Sequence, residues 1–161
     1  MATVASTLGG AQADVLTVPG DHPTIQAAVD AAANGDQILV SAGVYPVSSP
    51  INTLGKAVEI VGTVDAEDNP LTIVDGGGSS QLLRVENGET LETVFRGLAF
   101  RNGGGTGFGG GVRIIDGSPT FENCLVTECT ANIKGGGMLV ENASAPVLRD
   151  CTFVANLCNV A

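Results

Sequence analysis

Apolar residues follow two different rhythms along this 161-residue chain. At Ile25, Ala28, Val29 and Ala32 they recur at i, i+3, i+4 and i+7, the spacing of one helical face. Gly20-Asp21-His22-Pro23-Thr24 ahead of them supplies turn and N-cap chemistry, with Pro near the first turn, and Asn34-Gly35 stops the run. The pattern predicts a single short amphipathic helix over 24–33. Elsewhere the apolar residues form brief β-type runs between turns, at 15–18, 37–40, 57–61, 71–74, 82–85, 93–100, 112–115, 120–121, 124–127, 138–140, 147–148 and 151–154. Runs this short do not make a free-standing sheet; they suit the sides of a solenoid coil.

A repeat supports that reading. Gly109-Gly110-Gly111-Val112 is followed by Pro119, Phe121 and Asn123-Cys124; Gly135-Gly136-Gly137-Met138 is followed by Pro146, Leu148 and Asp150-Cys151. Pro119 to Pro146 and Cys124 to Cys151 both span 27 residues. A more diverged copy lies upstream, with Val94, Gly97, Leu98 and Asn102 standing 27 before Phe121, Cys124, Leu125 and Cys129. A fixed period in this range means stacked repeats. Equivalent strands of successive coils then pair in parallel, about 4.8 Å apart, and inward side chains stack on their equivalents. The expected fold is all-β: a parallel β-solenoid of about five coils from Asp36 onward. The helix lies across the otherwise open first coil, with Ile25, Ala28, Val29 and Ala32 inward.

Composition agrees. Glycine is frequent, at 23 residues, and tryptophan is absent, so small branched side chains carry the core. The net charge of −10 opposes nucleic acid and anionic lipid, whose phosphates need Lys and Arg. It also repels a polyanionic polysaccharide unless a divalent cation bridges the two. No apolar run reaches the roughly 18 residues that cross a bilayer, so membrane insertion is not expected. Ala11-Gln12-Ala13 ahead of Asp14 reads like the end of a secretory leader, yet Met1 to Gly10 lacks a basic start and a sustained apolar stretch. Residues 1–13 are either a leader remnant or a polar tail, and the domain is taken as 14–161.

Three groups of residues carry a resemblance. The first is Thr24-Ile25-Gln26-Ala27-Ala28-Val29-Asp30-Ala31-Ala32, with Gly35-Asp36-Gln37-Ile38-Leu39-Val40 and Gly43-Val44-Tyr45. The second is Val58-Glu59-Ile60-Val61-Gly62 with Thr72-Ile73-Val74-Asp75-Gly76. The third pairs a Gly-Gly-aliphatic element, Gly135-Gly136-Gly137-Met138, with a Phe-x-x-Asn element, Phe153-Val154-Ala155-Asn156. The first two resemble the capping helix and first coils of right-handed parallel β-helix proteins of the pectin-lyase-like superfamily. The third is similar to the repeats of bacterial surface and autotransported β-helices. The resemblance implies a right-handed parallel β-helix and a secreted or cell-surface, bacterial-type setting. Fold alone does not fix function in this group.

Lyases of this fold hold Ca²⁺ with acidic residues and use Arg or Lys as base; its hydrolases use clustered Asp; its esterases use paired Asp in defined motifs. None of these patterns occurs here. Asp75, Asp116 and Asp150 stand singly, and Arg84, Arg96, Arg101 and Arg113 read as solvated ladder residues that could share one face. Asp65-Ala66-Glu67-Asp68-Asn69 is the densest acidic patch, read as a plain exposed loop; Ca²⁺ is the one cofactor it brings into consideration. Gly103-Gly104-Gly105-Thr106-Gly107 lacks the Lys and following helix of a phosphate loop. His22 reads as a cap residue, and Asn142-Ala143-Ser144 is a glycosylation sequon. Cys124 and Cys151, one repeat apart, should stack as a thiol ladder, their Cα atoms within disulfide range. Cys129 and Cys158 occupy different repeat positions and could bridge across a turn in a secreted protein.

The tail Leu157-Cys158-Asn159-Val160-Ala161 is largely apolar. It leads to the expectation that the last coil is open: either the chain is a piece of a longer array, or another copy covers the edge as a homo-oligomer or filament. The expected function is a non-catalytic structural or adhesive module that self-associates there. The alternatives are a lyase-like enzyme acting on an acidic polysaccharide, or a fragment of one, and a glycan-binding module.

Overall fold

In the computed structural model, residues 12–105 and 107–159 are described. Most of the leader-like segment 1–13, with Thr106, Val160 and Ala161, lies outside them. The chain forms a parallel β-solenoid of six coils, with helix α1 (Ile25–Ala31) after its first strand. One sheet stacks six strands in the order β1 (Val15–Val18), β2 (Gln37–Val40), β5 (Glu59–Gly62), β8 (Val94–Arg96), β11 (Thr120–Glu122) and β15 (Val147–Arg149). A second stacks β3 (Gly43–Pro46), β6 (Thr72–Asp75), β9 (Leu98–Arg101), β12 (Leu125–Thr127) and β16 (Thr152–Val154). A third stacks β4 (Ile51–Asn52), β7 (Leu83–Val85), β10 (Val112–Ile115) and β14 (Met138–Glu141); β13 (Thr130–Ala131) pairs with β17 (Leu157–Cys158). All these pairings are parallel. The sixth coil, against about five expected, arises because β1 is itself a rung beneath β2.

The helix is shorter than the predicted span. Thr24 is its N-cap, its hydroxyl accepting from Ala27 N at 3.1 Å, and Ala32 is its C-cap. Ile25, Ala28, Val29 and Ala32 are all buried. Gln26 exchanges two hydrogen bonds with the backbone of Asn52, and Lys56 Nζ donates to the carbonyls of Val29 and Asp30 at 2.7 and 2.9 Å. A cation on these last carbonyls also complements the helix dipole. His22 does not cap the helix: it sits in the preceding turn, its backbone N–H on Thr17 O.

Register corrects the repeat arithmetic. Val94 lies beside Thr120, an offset of 26, whereas Thr120 lies beside Val147, an offset of 27. Leu98, not Gly97, is therefore the neighbour of Cys124. The extra residue of the last coil falls in its turn between β14 and β15, because β10 and β14 still pair with an offset of 26. Corners explain why equivalent positions read differently. Gly97, Asn123 and Asp150 turn the same corner with φ of 62°, 49° and 52°. Asn102, Glu128 and Ala155 turn the next with φ of 54°, 55° and 56°. Gly suits this left-handed geometry best, and Asn and Asp tolerate it. Gly97 thus splits the predicted run 93–100 into β8 and β9.

The interior is layered. Phe95 and Phe121 stack at 4.9 Å between centroids, and Phe100 meets Phe95 edge-on at 6.5 Å. Val85, Val112, Ile114 and Val126 fill the same core, each at most 1% exposed. In the Gly-rich arc the backbones themselves touch: a Cβ on Gly110 would run into the carbonyls of Thr130 and Gly136, so only glycine fits. Asn156 ties two coils, its Nδ2 donating to Val126 O at 2.9 Å and its Oδ1 accepting from Cys129 N at 3.0 Å.

One buried charge escaped the sequence reading. Glu89 is 3% exposed. Its carboxylate accepts from Thr53 Oγ1 at 2.7 Å, Gly55 N at 3.0 Å and Asn87 N at 2.8 Å. Desolvation pushes its pKa up, but these donors together outweigh it and hold the carboxyl below its ordinary value. A carboxyl lowered on folding stabilises fully above its ordinary pKa of 4.5, and that contribution fades as pH falls through the lower folded value. Glu89→Gln, which turns an NH₂ group toward these donors, should cost about 1–3 kcal/mol at neutral pH. Urea midpoints of the two proteins should converge on acidification; a constant gap would contradict this account.

Candidate functional site

The outward face of the six-stranded sheet carries charges of alternating sign. Gln37 Nε2 donates to Glu59 at 2.6 Å. Arg96 bridges Glu59 at 3.1 Å and Glu122 at 2.8 Å, and Arg149 reaches Glu122 at 2.9 Å. Register makes the ladder: Arg96 and Arg149 flank Glu122 directly, while Arg96 reaches Glu59 on the diagonal. Cross-strand pairs of opposite charge are the favourable choice on such a face.

Beside this ladder the connection from β5 to β6 leaves the coil as a short excursion, closed by an antiparallel bridge between Val64 and Pro70. It contains the acidic patch. Asp65 turns inward on its own loop, accepting from Glu67 N, Asn69 N and Asn69 Nδ2, and the Asn69 bonds lead in holding its pKa down. Asn123 Nδ2 donates to Asp68 O at 2.8 Å and pins the excursion to the sheet. A groove of about 530 Å³ runs between them, lined by Val61, Val64, Arg96, Glu122 and Arg149, with Asp68 and Asp150 at its rim. Arg96 and Arg149 are about half-exposed, and among the described residues the carboxylates of Asp68 and Asp150 make no hydrogen bond or ion pair.

The remaining charges are spread over other faces. Arg101 pairs with Asp75, its register partner, and Asn102 also donates to that carboxylate. Desolvation opposes the Asp75 charge, but the Arg101 hydrogen bond and its companions prevail and its pKa is lowered. Arg84 and Arg113 stack on the four-stranded sheet, where Arg113 meets Glu141 at 3.0 Å and lies over the Phe108 ring at 5.4 Å. The four arginines therefore do not share one face. Asp116 accepts from Asn142 Nδ2 at 2.9 Å, and both residues turn corners with positive φ. Among the described residues, no three His, Cys, Asp or Glu side chains are grouped to hold a metal ion.

All four cysteines are free thiols. Cys124 and Cys151 immediately precede β12 and β16, whose register sets Leu125 beside Thr152, so the two stack. Cys129 and Cys158 are not brought together. Cys129 is wholly buried, its Sγ accepting from Gly103 N at 3.4 Å, whereas Cys158 is exposed and pairs with Ala131. The two thiols are out of register by two residues: Asn156, not Cys158, lies beside Cys129, and Cys158 sits over the buried Ala131 in the last described coil. The 27-residue spacing pointed to the stacked thiols in advance; the Arg–Glu ladder and the burial of Glu89 are products of register and coil packing that spacing alone did not reveal.

No protein-family profile, curated protein or solved structure matches the chain. What stands is the parallel β-solenoid itself and the groups arranged on it. Arg96→Gln removes two exposed ion pairs and should cost less than about 1 kcal/mol, with the cost shrinking at high salt. Urea unfolding at low and high salt checks this; a larger, salt-independent loss would mean that Arg96 acts through packing.

Proposed function

We propose that this protein is a non-catalytic structural or adhesive β-helix module that works by seating a like coil on its C-terminal coil. The supporting observation is how its core columns end. Phe95 and Phe121 are each 1% exposed, and Leu148, next in that column, is 45% exposed. Phe100 and Val126 are each 1% exposed, and Phe153 above them is 42% exposed. Ile114 is fully buried, and its neighbour Val140 is 41% exposed. These side chains stand in core register and gain their burial from one more coil, at about 25 cal/mol per Å² of apolar surface removed from water. The strands carrying them, β14, β15 and β16, each close a sheet and offer free backbone groups for pairing. Arg149 ends the alternating ladder, so a carboxylate in the partner coil would continue it. The resemblance to secreted and surface β-helices of the pectin-lyase-like group gives the setting, outside the cell or on its surface.

A second reading rests on the groove. The carboxylates of Asp68 and Asp150 line the same groove as half-exposed Arg149, a mix of acceptors and donors that suits sugar hydroxyls. In that reading the module binds a glycan without turnover.

Light scattering on the eluting chain tests the first reading. Wild type should self-associate with concentration, and Leu148→Lys should be monomeric with an unchanged circular dichroism spectrum. A wild-type chain that stays monomeric at millimolar concentration sinks it. For the second reading, a glycan array should show binding that the Asp68→Ala/Asp150→Ala double variant loses; a blank array removes it.

A further inference from the structure

The stacked thiols differ from each other in a way that chemistry can use. Asn123 and Asp150 turn the same corner one coil apart, so the backbones entering Cys124 and Cys151 run alike. Thr152 N donates to Cys124 O at 2.8 Å, which fixes the coils against each other at this point. Both side chains take the same course: Cys124 Sγ lies 3.4 Å from Glu122 O, and Cys151 Sγ lies 3.3 Å from the equivalent carbonyl, Arg149 O. Adjacent parallel strands about 4.8 Å apart place their Cα atoms inside the window that a disulfide spans. Their access to solvent is unequal. Cys124 is 3% exposed within the core, while Cys151 is half-buried at its edge.

We propose that Cys151 is a modification site for low-molecular-weight disulfides and that Cys124 resolves the adduct, closing a Cys124–Cys151 disulfide between successive coils. In the first step the Cys151 thiolate attacks one sulfur of oxidised glutathione. The glutathione S–S bond breaks, a mixed disulfide forms at Cys151, and one glutathione leaves as thiolate and takes up a proton. In the second step Cys124, its proton given to solvent, attacks the Cys151 sulfur, and the second glutathione leaves as thiolate and is protonated. Two protein thiols are oxidised to one disulfide, and one small disulfide is reduced to two thiols.

The order of attack follows from the pair itself. The interaction between the two stacked thiols lowers the Cys151 pKa, and that same interaction, together with burial, raises the Cys124 pKa. The more accessible sulfur is thus also the one with thiolate character, as exchange requires. Once Cys151 carries the adduct it no longer bears the thiolate charge that disfavours ionisation of Cys124, and Cys124 is free to attack. The other two thiols have no such partner: Cys129 faces Asn156, and Cys158 lies beside Ala131. This inference does not rest on the proposed association between copies, but a copy seated on the C-terminal coil would cover Cys151, so the reaction belongs to dilute, monomeric protein.

The experiment uses the reduced full chain carrying Cys158→Ser, treated with oxidised glutathione and quenched in acid. The expected product is lighter by two hydrogens, with Cys124 linked to Cys151 and Cys129 unmodified. Trypsin leaves Cys124 and Cys129 in one peptide, 114–134, so fragmentation must separate them. Adding Cys124→Ser should leave a stable glutathione adduct on Cys151. An unreactive Cys151 overturns the proposal, as does an adduct that persists on Cys151 while Cys124 stays free. Should Cys124→Ser fail to fold, the linkage map of the Cys158→Ser chain decides alone.

Discussion

Parallel hydrogen bonding between successive coils, with each inward side chain resting on its equivalent, is the constraint that organises this molecule. Among the described residues no strand exceeds four residues, and none would persist alone. Each is held by the strand of a neighbouring coil, and the inner strands of each sheet by one on either side. Phe95 under Phe121 and Ile114 beside Val140 are the same arrangement repeated in different side chains. Because neighbouring coils are only a strand spacing apart, whatever occupies a position in one coil restricts that position in the next. Gly110 has no room for a Cβ for that reason.

The same stacking decides what the polar groups do. Charges that look scattered along the chain are brought together across coils and neutralise one another in the Glu59–Arg96–Glu122–Arg149 ladder, the Asp75–Arg101 pair and the Arg113–Glu141 pair. Exposed pairs of this kind add little stability individually, but they prevent like charges from meeting in register. Glu89 acts differently. It is sheltered from water, and it binds backbone N–H groups that no strand satisfies.

Two features concentrate at the C-terminal coil. The exposed apolar residues of its strands are where the proposed module would seat another coil, and Cys151 stands on the same edge. Covering that edge removes Cys151 from solvent, as Cys124 is removed already. The proposed association and the proposed thiol exchange would therefore draw on the same exposed surface and compete for it.

The helix, the short strands and the repeat were legible in the chain because each depends on local spacing. Ile25, Ala28, Val29 and Ala32 mark one face whatever they pack against, and a recurring Gly-Gly-Gly with a downstream Cys declares a coil. Strands β3, β4, β13 and β17 were not legible as runs. They are two residues long or bounded by Gly and Pro, and only a strand one coil away makes them pair. Register was the other hidden quantity. A single residue added in one turn changes an offset from 26 to 27, and composition carries no trace of which turn takes it. The Cys124–Cys151 stack was legible from the repeat, but which charges meet and where the groove opens follow from that choice, since a one-residue slip turns an inward side chain outward. The sequence by itself determined the architecture; coil-on-coil contact in three dimensions decided its chemistry.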